Sequence, residues 1–100
     1  MFLAADAETG AIVDANPAAC ALLGLARPEL LARRLDELSA APERASWAEL
    51  LDAISEGGET QRSSLSLRDA SGSPVRLDVR ATRFVARGRA LALLVGRPAL

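Results

Sequence analysis

Histidine, lysine and tyrosine are absent from this chain of 100 residues, which has one cysteine, one tryptophan and two phenylalanines. Without histidine there is no histidine-ligated haem and no Ser-His or Cys-His catalytic pair, and most zinc sites are excluded. The single Cys20 cannot close an internal disulfide, so the fold needs no oxidising compartment. With so few aromatic side chains available to stack on bases, a nucleic-acid partner is not expected.

A long apolar run is also missing. No stretch approaches the roughly 18 residues that a membrane helix needs, and the first apolar run meets Asp6 before a signal-peptide core could form. We therefore expect a cytoplasmic protein with no membrane partner. Half of the residues are apolar and a quarter are charged, a composition that is typical of one folded domain spanning residues 1–100.

Charge is unevenly distributed along the chain. Residues 1–59 carry eleven acidic and four basic side chains, whereas residues 60–100 carry two acidic and eight basic ones, and every basic residue is arginine. Because these arginines alternate with apolar residues, the pattern indicates the solvated face of a sheet more than a nucleic-acid site.

The first 40 residues predict a hairpin followed by short helices. Apolar runs at 2–5 and 11–15 flank turn residues that end in Gly10, which is typical of a β-hairpin. Asn16 and Pro17 then indicate the start of a helix, and Gly24 its end. Two further short helices are expected at 27–33 and 35–38.

A longer helix follows. Ser46 and Glu49 have the spacing of a capping box, which predicts the helix start there. Four apolar side chains then form one helical stripe: Trp47, Leu50, Leu51 and Ile54. The pair Gly57-Gly58 indicates the helix end.

From residue 60 the apolar period changes to two, which predicts strands. A hairpin is expected with its turn at 69–73, and the interrupted alternation at 83–85 indicates a bulge or the end of that strand. A tight link at 87–89 leads to a last strand, Ala90 to Val95, that is apolar on both faces. We assign one face of it to docking a helix or a second copy: Ala90, Ala92 and Leu94.

The ordered motifs resemble those of the PAS domain family. They are Asp6-x-x-x-Gly10-x-Ile12-x-x-x-Asn16-Pro17-Ala18, Leu22-x-Gly24, Pro28-Glu29-Leu30 and Asp69-x-x-Gly72-Ser73. The resemblance implies an α+β fold, a five-stranded antiparallel sheet of order 2-1-5-4-3 with three to four short helices packed on one face. It also implies a fragment of a larger signalling protein.

Two departures from the family pattern affect function. The usual terminal R-D-I-T, which couples such domains to an effector, is Arg97-Pro98-Ala99-Leu100 here. The flavin-binding branch uses a cysteine in an N-C-R-F-L-Q context, whereas Cys20 lies among alanines on the first helix. We therefore predict no cofactor.

The resemblance and the missing reactive groups together predict a non-catalytic sensor or regulatory module of bacterial-type signal transduction, not an enzyme. Its effector would be an attached or partner kinase, cyclase or transcription factor. A small apolar ligand would lie between helices and sheet, against eight side chains: Trp47, Leu50, Leu51, Ile54, Leu65, Leu67, Val79 and Leu93. The alternative is a ligand-free interaction domain that forms a homodimer. No metal site or catalytic residue is predicted.

Overall fold

The structure is a computed structural model that describes residues 1–57 and 59–99, with the side chain of Ala41 outside that set. Across the described residues the elements follow the order β-β, helices, β-β-β. Their bounds are β1 Phe2–Asp6, β2 Ile12–Ala15, α1 Pro17–Leu23, α2 Arg27–Leu31, α3 Leu35–Leu38, a 3₁₀ turn Ala41–Glu43, α4 Arg44–Ser55, β3 Gln61–Arg68, β4 Pro74–Ala86 and β5 Arg89–Pro98.

All five described strands form one antiparallel sheet of order β2-β1-β5-β4-β3. The predicted fold class, sheet order and single helical layer are therefore confirmed. The central strand β5 pairs with β1 on one side and with β4 on the other, and α4 packs across β3, β4 and β5. A shift of the side chains between α4 and the sheet therefore acts directly on the central strand β5.

Short polar side chains determine the local structure of the first half. Asp6 Oδ1 accepts hydrogen bonds from the amides of Glu8 and Thr9, and Gly10 takes a φ of 77°, so the β1–β2 turn closes as predicted. Asn16 Oδ1 accepts from the amide of Ala19 at 2.9 Å, which is the predicted N-cap of α1.

The predicted start of α4 is wrong. The 3₁₀ turn runs directly into the helix, which begins at Arg44, so Ser46 lies inside the first turn and cannot act as the cap. The predicted apolar stripe is confirmed, because Trp47, Leu50, Leu51 and Ile54 are all buried. The helix ends at Ser55, before Gly57 at a φ of 82°, and Gly58 lies outside the described residues.

The predicted interruption near residue 84 is also wrong. β4 continues to Ala86 with unbroken pairing to β5, and residues 82–85 are exposed on both faces. That end of the β4–β5 hairpin extends past the helical layer, so the apolar alternation is lost without any bulge. Arg87 and Gly88, at φ values of 53° and 76°, form a two-residue turn of the kind that suits the twist of paired strands.

The face of β5 that the sequence assigns to docking is the wrong face. Ala92 and Leu94 have 0% exposure and belong to the core, with Ala90 packed against it at the edge. The opposite face carries Leu91, Leu93 and Val95, and Val95 is 55% exposed. A substitution such as Leu94→Arg would therefore unfold the domain and would not report on docking.

The core lies between the sheet and the helices. It joins Leu3 and Ala5 of β1, the buried stripe of α4 and the inner rows of β3, β4 and β5. None of the described helices has the length and hydropathy needed to cross a bilayer.

Candidate functional site

The eight side chains predicted to line a ligand pocket do not lie on one surface. Seven of them are core residues with exposures between 0% and 8%: Trp47, Leu50, Leu51, Ile54, Leu65, Leu67 and Val79. Leu93 is the exception, because it lies on the sheet face opposite the helices, paired with Ala4 and Thr82. The prediction that Leu93 lines a pocket between the helices and the sheet is therefore wrong. Binding of a ligand by the other seven side chains stays a prediction.

The polar group of Trp47 is already satisfied within the protein. Its indole N–H donates to the carbonyl oxygen of Ser66 at 3.1 Å across the edge of β3. The remaining predicted lining is made of leucine, isoleucine and valine side chains, which have no polar atom to orient a ligand. Anything bound there would be held by apolar contact alone.

Two grooves that are open to solvent lie elsewhere. The groove of about 630 Å³ is lined by Arg62, Ser63, Asp78, Val79, Arg80, Val95 and Arg97. A neighbouring groove along the same strands is lined by Ser64, Arg76, Asp78, Arg97, Pro98 and Ala99. Both lie over the face of the sheet that no described helix covers, which we call the outer face.

The outer face has an apolar half. Cross-strand pairing places Phe84 opposite Leu91, Thr82 opposite Leu93, and Phe2 opposite Val95. Phe84, near the tip of the β4–β5 hairpin, is 52% exposed, and Val95, in the central strand β5, is 55% exposed; both values are high for large apolar side chains. We call these five side chains the apolar patch: Phe2, Phe84, Leu91, Leu93 and Val95.

The other half of the outer face is basic. Arg62 of β3 lies directly opposite Arg80 of β4. Asp78, two residues before Arg80 on the same face of β4, lies opposite Arg97 of β5. All four side chains are exposed. No ion pair involving Arg62, Arg80 or Arg97 occurs in the part of the chain that the structure describes, residues 1–57 and 59–99. We call these three residues the arginine cluster.

An ion pair joins the β1–β2 hairpin to the β4–β5 hairpin beside the apolar patch. Asp6 at the end of β1 accepts from Arg89 at the start of β5, with Nε to Oδ2 at 3.0 Å, and only 7% of the Asp6 side chain is exposed. Burial opposes ionisation of this carboxyl, but the hydrogen bonds from Arg89, Thr9 and Glu8 outweigh it. The pKa of Asp6 therefore lies below its ordinary value.

A second carboxylate closes the free edge of β3. Glu43 accepts from the amide of Ser66 at 2.6 Å and from the Ser66 hydroxyl at 2.7 Å, and Arg76 Nη1 donates to it at 3.0 Å. These bonds, the Ser66 amide first, hold the pKa of Glu43 below its ordinary value. Because the Trp47 N–H donates to the Ser66 carbonyl, both backbone groups that Ser66 presents at the edge of the sheet, its N–H and its C=O, have a hydrogen-bond partner. No sequence motif marks this cluster, because Glu43 is 23 residues from Ser66 and 33 residues from Arg76.

The end of β5 departs from the family pattern without disturbing the sheet. Pro98 pairs with Leu77, and the amide of Ala99 donates to the carbonyl of Arg76 at 2.9 Å. Proline lacks an N–H, but its nitrogen points away from β4, where the pairing continues. Leu100 lies outside the described residues.

The model of the family described as PAS domain matches residues 1–97. No curated protein sequence matches the chain.

Solved structures resemble it over nearly its whole length. A domain of the sensory box sensor histidine kinase/response regulator from Geobacter sulfurreducens is 28% identical, with a TM-score of 0.73 over 93% of this chain and 79% of that one. The PAS domain of nitrogen regulation protein NR(II) from Vibrio parahaemolyticus is 20% identical, with a TM-score of 0.78 over 98% and 87%. Drosophila melanogaster Cycle PAS-B with bound ethylene glycol is 14% identical, with a TM-score of 0.87 over 98% of both chains.

Proposed function

Since this chain belongs to the PAS domain family, whose model matches residues 1–97, we propose that it is a non-catalytic regulatory module of a signalling protein. It relays a signal by contact, through the outer face of its sheet, to an attached or partner effector such as a kinase, a cyclase or a transcription factor. The resemblance to a domain of a sensor histidine kinase/response regulator supports this role.

One observation carries the proposal: the helices cover one face of the sheet, while the outer face bears the apolar patch. Apolar surface in contact with water is unfavourable by about 25 cal/mol per Å², so a partner that covers this patch gains free energy. β5 connects the two sides, because Leu94 packs in the core and the adjacent Val95 is 55% exposed. A change in the packing of α4 therefore alters the surface that a partner contacts.

A peptide titration tests docking on the outer face. The probe is an amphipathic helix of about 16 residues with a leucine stripe and a neutral polar side, added to ¹⁵N-labelled protein. We expect amide shifts confined to the outer-face residues of β1, β4 and β5. Val95→Asp should abolish them, and Arg83→Gln, on the opposite face of β4, should leave them unchanged. Shifts centred on α1 and α2, or no shifts at all, would contradict the proposal.

A second candidate function is the sensing of an apolar molecule between α4 and the sheet. The seven buried side chains support it, because they are apolar except for the Trp47 N–H, which donates to the carbonyl of Ser66. Mass spectrometry of the natively purified protein, together with a thermal-shift screen of apolar compounds, tests this function. A co-purified molecule or a raised melting temperature is expected. If neither is found, the sensing function is contradicted.

A further inference from the structure

The basic half of the outer face contains an unfavourable contact that the described protein does not relieve. Arg62 and Arg80 are direct cross-strand partners, so their Cβ atoms are about 5 Å apart. Like charges in that position destabilise a sheet. Asp78 lies directly opposite Arg97 and diagonal to Arg62, and Arg76 is already bound to Glu43. One carboxylate therefore faces three arginines.

The arginine cluster and the apolar patch form one continuous surface. Val95 belongs to the patch and also lines the groove with Arg62, Arg80 and Arg97. From Leu91 to Arg97 this surface follows β5 for about 20 Å, the length of a helix of about 14 residues. A partner that covers both halves needs an apolar stripe and, at one end, negative charge.

We propose that the outer face binds an amphipathic α-helix of a partner protein, whose apolar stripe lies on the apolar patch and whose acidic side chains lie on the arginine cluster. This proposal rests on the proposed function and names the chemistry of the partner. Arginine suits the role because its planar guanidinium binds carboxylates in a bidentate geometry and stays ionised.

Charge argues against a second copy of this chain as the occupant. Residues 60–100, which form β3, β4 and β5, carry eight basic and two acidic side chains. Two outer faces in contact would therefore bring basic surface against basic surface. Six of the eleven acidic side chains of residues 1–59 lie on the helices and the 3₁₀ turn, and the apolar sides of these helices are already buried against the sheet.

The test is a selection that leaves the charge of the partner open. A yeast-display library of helices of about 16 residues, with a fixed leucine stripe and randomised polar positions, is sorted on the wild-type protein. Sorting is repeated on the triple variant Arg62→Gln, Arg80→Gln, Arg97→Gln. The matched control is Arg83→Gln, since Arg83 is an exposed arginine of β4 on the other face.

We expect enrichment of Asp and Glu at one end of the helix on the wild type and on Arg83→Gln. That enrichment should disappear on the triple variant. A selected acidic peptide should bind the triple variant about tenfold more weakly, lose affinity as salt is raised, and fail to bind Val95→Asp.

Four outcomes would overturn the inference: enrichment of neutral or basic helices, equal acidic enrichment on the triple variant, binding unaffected by Val95→Asp, or no enriched helix. Neutral helices that still require Val95 would leave the proposed function standing. Failure of every helix, combined with no shift of outer-face amides in the titration above, would remove both.

Discussion

Leu94 and Val95 are neighbours in β5 with opposite environments, 0% and 55% exposed. Leu94→Ala should lower the free energy of unfolding by about 2–5 kcal/mol, because it opens a cavity where Leu3 and Ala81 pack. Val95→Ala should change it by less than about 0.5 kcal/mol. Urea denaturation of both variants measures the difference. Equal losses at the two positions would be inconsistent with the observed faces of β5.

The Asp6–Arg89 ion pair makes the free energy of unfolding depend on pH. Because the folded-state pKa of Asp6 lies below its ordinary value of 3.8, the unfolded chain binds the proton more readily. The pair therefore contributes stability above that pH and loses it as the pH falls through the folded-state pKa.

Asp6→Asn should cost about 1 kcal/mol at neutral pH, where Arg89 loses its ionic partner while the amide oxygen still accepts from Glu8 and Thr9. The variant and the wild type should converge in stability toward pH 2. Chemical denaturation across pH 2–7 gives both curves. A constant difference over that range would show that the carboxylate is not what stabilises the hairpins.

The assignment of Ala90, Ala92 and Leu94 to a docking face is wrong for a physical reason. Ala90 to Val95 is apolar on both faces, so alternation alone could not distinguish the buried row from the exposed one. The sequence did contain the missing signal. A turn of two residues, Arg87 and Gly88, pairs Ala86 with Arg89 and so places Leu94 beside buried Ala81. Treating the link as three residues reverses the faces.

Among the elements, edge strand β3 depends on groups from the 3₁₀ turn and α4. Glu43→Gln should weaken the contacts to Ser66, since a neutral amide accepts more weakly than a carboxylate and cannot pair with Arg76. We expect the Ser66 amide to exchange its hydrogen about tenfold faster, with amides of β5 unchanged. Glu49→Gln, on the exposed side of α4, is the control. Unaltered exchange at Ser66 would mean that the edge is closed without Glu43.

Helix and strand types were predictable at this scale, and their ends were less so. The helix cap at Asn16, the left-handed Gly10 and the turn at Asp69 are local features, formed by hydrogen bonds to amides within four residues or by a single backbone position, so their motifs could be read directly. The start of α4 depends on the preceding 3₁₀ turn, and the exposure of Phe84 depends on where the helical layer stops. Those are tertiary features, which periodicity does not contain.

For the whole molecule, charge should govern self-association. At low salt the basic outer faces of two copies repel, whereas at high salt this repulsion is screened over a few ångströms and the apolar patches can meet. We expect the average mass from sedimentation equilibrium to rise with salt for the wild type and to stay monomeric for Val95→Asp. Association that weakens with added salt would instead indicate contact between acidic and basic surfaces.

The family resemblance predicted the strand order and the single helical layer, which follow from ordered turn and cap motifs spread along the chain. It could not predict the arginine cluster. The alternating arginines of β4 indicated a solvated face, but the opposition of Arg62 and Arg80 depends on the register of the β3–β4 hairpin, which only the structure provides.

The two-residue turn at Arg87 and Gly88 also limits how this chain can diverge. A one-residue insertion there would shift the phase of everything after it, so that Leu91, Leu93 and Val95 would point inward unless the extra residue were absorbed as a bulge. Homologous sequences should therefore keep a constant length between β4 and β5, or carry a bulge in one of the two strands where they do not.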